Sequence, residues 1–129
     1  MSLATERMGG GLSAGQANAI GGQTVSLAVS GASSTQALAA PVQASNVILT
    51  GGNGTKSAVL PYGENGDEVT LFNNSGSTVP VFPPVGGAIA VPGTGLGTAN
   101  ASYAHTTYAT CIYKCQSSAT QQWLVIKSA

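Results

Sequence analysis

The stretch Thr70–Gly87 reads TLFNNSGSTVPVFPPVGG. Two short alternating runs, EVTLF over 68–72 and TVPVF over 78–82, flank the polar segment Asn73-Asn74-Ser75-Gly76-Ser77. Alternation at period two marks strands, and a short connection rich in Asn and Gly, which tolerate positive φ, predicts a hairpin. Pro80 has no N–H for a ladder, so its run should be an edge strand or turn that position outward. Pro83-Pro84 then ends the pairing, and Gly86-Gly87 lets the chain reverse. No reaction needs a hairpin ending in a Pro-Pro-x-Gly-Gly corner; a fixed surface shape does.

The same pattern runs outward in both directions. TVSLAVSG, from Thr24, places Val25, Leu27 and Val29 on one face. NVILT (46–50), SAVLP (57–61), AIAV (88–91), NASYA (100–104), TYATCIYKC (107–115) and QWLVIK (122–127) read as further strands. Between them lie GGNGT, YGENGDE and PGTGLGT, which are turn and loop chemistry. The segment 32–44 permits a helical turn, limited by Pro41. Strands recurring every 8–12 residues or so predict an all-β fold. The expectation is one antiparallel β-sandwich or barrel, jelly-roll-like, over 23–129. Residues 1–22 are rich in Gly and Ala, with Leu3, Met8, Leu12 and Ile20 as sparse apolar points. They read as an extended arm that orders only on a partner.

Composition narrows the function. The 129 residues fit one domain, only 6% of them are charged, and the formal net charge is zero. Arg7, Lys56, Lys114 and Lys127 are scattered, so the basic patch that nucleic acid requires is missing. No apolar run approaches the roughly 18 residues of a membrane span. The first residues lack the apolar core of an export signal, so folding in a cytosol with reduced thiols is expected. On one strand Cys111 and Cys115 would lie about 13 Å apart, too far for a disulfide; they read as small buried hydrophobes.

Candidate chemistry is thin. Gly11-Leu12-Ser13-Ala14-Gly15 matches a nucleophile-elbow pattern, followed by Asp67 and His105, but nothing strand-like precedes it. His105, Cys111 and Cys115 lack the fourth ligand of a structural zinc site. His105 therefore reads as a turn residue with an exposed ring. Asp67 and Glu68 are adjacent and diverge on a strand, and Glu64 lies in a loop. Trp123 is expected in the core or at a subunit contact. No cofactor, metal or reaction is expected.

The chain resembles a group of small tailed-bacteriophage virion proteins. The resemblance rests on Ser34-Thr35-Gln36-Ala37, Asn46-Val47-Ile48, Val59-Leu60-Pro61, Gly66-Asp67-Glu68-Val69, Asn73-Asn74, Pro83-Pro84-Val85-Gly86-Gly87 and Trp123, from about Gly31 to Lys127. Such proteins look like head decoration, or cement, proteins, often trimers that clamp the major capsid protein's shell. The resemblance implies a structural role on the virion exterior. Within such a role, capsid contact is expected through the arm residues Leu3, Met8, Leu12 and Ile20, and a subunit interface at Phe82, Pro83, Pro84 and Trp123. The loop VPGTGLGTAN is longer than the resemblance leads one to expect. A tail-fibre or receptor-binding module, with aromatics such as Tyr103, Tyr108 and Tyr113 facing glycans, is the rival reading. A small virion enzyme resting on Ser13 is the third.

Overall fold

The structure, a computed structural model, describes residues 24–31, 35–95 and 97–127. The arm residues Leu3, Met8, Leu12 and Ile20, and Ser13, lie outside these. The described residues form ten strands and one three-residue 3-10 turn, Gln36–Leu38. The strands are β1 (Thr24–Ala28), β2 (Ala40–Pro41), β3 (Asn46–Thr50), β4 (Ala58–Val59), β5 (Glu68–Asn73), β6 (Val79–Phe82), β7 (Ala88–Ala90), β8 (Tyr103–His105), β9 (Thr110–Ser117) and β10 (Gln122–Lys127). Each run read as a strand from its alternation overlaps one. The unforeseen strand is β2, which lies within the ambiguous segment 32–44 and includes Pro41.

All-β is correct, but the pairing is not that of an antiparallel jelly roll. One sheet has six strands in the order β1-β3-β5-β9-β10-β7, and the other has four in the order β2-β4-β6-β8. The chain alternates between them. Thr24 lies beside Asn46 and Asn46 beside Thr70 in the large sheet; Ala40 lies beside Ala58 and Ala58 beside Val81 in the small one. All four of these ladders are parallel. The first six strands thus wind around a shared core, each circuit laid beside the last, as in a short solenoid. Only then does the direction reverse. β8 runs antiparallel to β6, β9 to β5 and β10 to β9, while β7 adds parallel to β10. Alternation says which residues face inward; it does not say which strand lies alongside, and here the neighbour is a full circuit away.

The expected hairpin is corrected for the same reason. β5 belongs to the large sheet and β6 to the small one, so Asn73–Ser77 crosses from sheet to sheet. No residue of 73–77 has positive φ. Pro80 is also not on an edge, since β6 lies between β4 and β8. It is tolerated because the ladder with β4 begins one residue later, at Val81.

One core fills the space between the sheets, which makes a sandwich. Val47, Leu49, Val69, Leu71, Cys111, Tyr113, Trp123 and Val125 come from the large sheet, and Ala58, Val79 and Val81 from the small one. Leu49 and Leu71 are wholly buried, each contributing about 2 kcal/mol by burial. Cys111 and Cys115 are free thiols on the inner face of β9.

Candidate functional site: the proline corner and a buried polar network

Each residue of Pro83–Gly87 has a separate physical task. Gly87 N–H donates to the Pro84 carbonyl at 2.8 Å, closing a four-residue turn. Gly86, its third residue, has φ +87°, which a type II turn requires and glycine adopts freely. Gly87 itself passes close to Gln121, where an added Cβ would stand 2.5 Å from the carbonyl oxygen.

Side chains from three other segments pin the turn. Gln36 Nε2 donates to the Pro83 carbonyl at 2.7 Å. Asn100 accepts from Gly86 N–H at 2.7 Å through Oδ1, and its own N–H donates to the Gly87 carbonyl at 2.8 Å. Asn100 holds φ +62° to do both. Tyr62 donates its hydroxyl to the Val85 carbonyl at 3.2 Å.

What the corner presents is apolar. Tyr62 and Val85 are 68% and 66% exposed. They border an open groove of about 500 Å³, lined among others by Pro41, Leu60, Pro61 and Pro84. Phe82, Pro83 and Pro84, expected at a subunit interface, are buried within the single chain. Trp123 is wholly buried, its ring against Gly63, where an added Cβ would come within 2.8 Å of Cζ2. The large apolar side chains that stay exposed beside the groove are Tyr62 and Val85.

At the other end of β6, Asn73–Ser77 is clamped by a buried polar network. Asn73, wholly buried, donates through Nδ2 to the Ser77 and His105 carbonyls at 2.9 and 3.0 Å. Its Oδ1 accepts from Ser75 N–H and Ser75 Oγ at 3.0 and 2.7 Å. Thr107 Oγ1 donates to the Ser75 carbonyl.

His105 is a correction: it is not exposed but wholly buried at the end of β8. Its Nε2 lies 2.8 Å from the Ala109 carbonyl, which can only accept, so Nε2 carries the proton. Nδ1, 2.7 Å from the Tyr113 hydroxyl, then accepts from it. Burial pushes the imidazole below its ordinary value; the Ala109 bond opposes this and the Lys127 charge adds to it. Burial likewise raises the Tyr113 phenol well above its usual range and lifts the Cys111 thiol. With both nitrogens committed, the ring is a structural strut. Asp67 is also committed, its Oδ2 accepting from Glu64 N–H at 2.9 Å. The period-two pattern of Tyr103-Ala104-His105 carried the missed signal, since it places His105 on the same face as Tyr103.

No protein-family profile matches the chain, and no curated protein is similar to it.

Proposed function

We propose that this chain is a non-enzymatic bacteriophage structural protein that binds the outside of a capsid shell and stabilises it. The observation that carries the reading is the proline corner, pinned from three directions and presenting Tyr62 and Val85 over an apolar groove. A surface already held in one shape loses little conformational entropy on docking. A formal charge of zero lets many copies sit side by side without mutual repulsion. Binding to the assembled shell but not to free subunits stabilises the shell by mass action. The partners in this reading are the major capsid protein and other copies of the chain, grouped as trimers once they are seated on the shell. Leu3, Met8, Leu12 and Ile20 add capsid contacts.

The test is a count of this protein per purified particle, by quantitative mass spectrometry against the major capsid protein. A ratio near one copy per capsid subunit supports the reading. A ratio of a few per cent rejects it in favour of a tail-fibre or receptor-binding module. If the corner is the contact, Val85→Asp weakens retention on the shell while leaving the circular-dichroism spectrum unchanged.

A further inference from the structure

Sheet ends expose backbone groups that no strand satisfies, and folded proteins blunt them with prolines, short strands, covering segments or charges. Two sheets give four ends here: β1, β7, β2 and β8. At β2, Ala40 and Val42 donate inward to the Ser57 and Val59 carbonyls at 3.1 and 2.9 Å. The outward position between them is Pro41, which has no N–H to offer. At β7 the chain covers its own edge: Asn100 donates to the Gly87 carbonyl, and Gly97 lies so close to the Ile89 carbonyl that a side chain would not fit. β8 is only three residues long.

Among the described residues, β1 carries none of these guards. Its five residues, TVSLA, include no proline, glycine or charge. Val29 N–H donates to the Thr50 carbonyl at 3.0 Å. By the alternation of a parallel ladder, Val25 and Leu27 also turn their backbone groups toward β3, while Thr24, Ser26 and Ala28 turn theirs outward. Among the described residues nothing pairs with that outer side. The inner face is unfinished there as well. Val25 is in register with the buried Val47 yet is 41% exposed, and Leu27, beside the wholly buried Leu49, is only half buried.

We infer that β1 is a contact between two copies of this chain, paired antiparallel about Ser26 so that two six-stranded sheets join into one. Between Arg7 and Lys56 the sequence holds no charge, so two identical edges meet without like-charge repulsion. The outward positions are Thr24, Ser26 and Ala28. Reversal about Ser26 sets Thr24 against Ala28 and Ser26 against itself, small residue on small residue. The same register puts Val25 of one copy opposite Leu27 of the other, an apolar cross-strand pair that covers both. This contact stands apart from the shell reading: it is measured in solution, without particles.

The test is the mass of the full chain by analytical ultracentrifugation over a wide concentration range. Wild type is expected as a dimer. Ser26→Lys and Ser26→Glu each place like charges face to face across the two-fold axis and are expected as monomers. Mixed in equal amounts, they are expected to pair, which also shows that both are folded; Ser26→Thr keeps the dimer. A wild-type monomer at every concentration, or an assembly of any size that Ser26→Lys leaves intact, overturns the inference.

Discussion

A methyl group at Gly87 would stand 2.5 Å from the Gln121 carbonyl oxygen and 3.1 Å from that of Pro84, both backbone atoms fixed by hydrogen bonds from Ala88 and Gly87 N–H. Gly87→Ala is therefore expected to cost about 1–3 kcal/mol, read as a lower urea midpoint. Gly76 is the opposite case, with nothing within 4 Å of an added Cβ and no positive φ. There Gly76→Ala should stabilise by about 0.4–1 kcal/mol, because only the unfolded chain loses freedom. His105 sets the acid response. Its folded-state affinity for protons lies below the unfolded value of about 6.5, so between the two values the unfolded chain binds more protons. Its contribution is complete above about pH 6.5 and is lost as pH falls from there toward the folded-state value. Urea midpoints measured from neutral to mildly acidic pH should fall in wild type. In His105→Asn the part of that slope due to the imidazole should vanish. That variant should already be weaker at neutral pH by about 1–3 kcal/mol, since the Tyr113 hydroxyl loses its buried acceptor.

Among the elements, the sheet-crossing segment Asn73–Ser77 depends on one side chain. Asn73 satisfies two carbonyls, one N–H and one hydroxyl away from water, whereas its neighbour Asn74 is exposed. Asn73→Ala should cost about 2–4 kcal/mol, more than one unsatisfied buried group, and Asn74→Ala under about 0.5 kcal/mol; thermal unfolding of the two variants side by side checks this. The strands around this segment were legible, because EVTLF and TVPVF alternate and Pro83-Pro84 ends the second. Its role was not, because Asn, Ser and Gly are as suitable for joining neighbouring strands as for carrying the chain between sheets. The proline corner was legible as a rigid turn. Its clamps were not, because Gln36, Tyr62 and Asn100 come from distant positions and are unremarkable in their own surroundings.

At the scale of the whole molecule, stability should grade across the large sheet. β9 is paired on both sides, to β5 and β10, and buries alternate residues, while β1 is an edge with mostly exposed side chains. Amide hydrogen exchange is expected to be slowest in Cys111–Cys115 and fastest, among strand residues, in β1. The all-β class was readable from periodicity alone, but the winding was hidden, because the four parallel ladders of β1 to β6 each join segments a whole circuit apart. That winding has a kinetic consequence. In a hairpin the partner strand arrives within a few residues; here β1 finds none until Asn46–Thr50 has come round, and β3 waits in turn for β5. Such delayed closure makes folding slow, and the waiting strands carry no charge to keep neighbouring chains away. Refolding yield should therefore fall as protein concentration rises, with the early strands, rather than the well-buried later ones, deciding whether a molecule folds or aggregates.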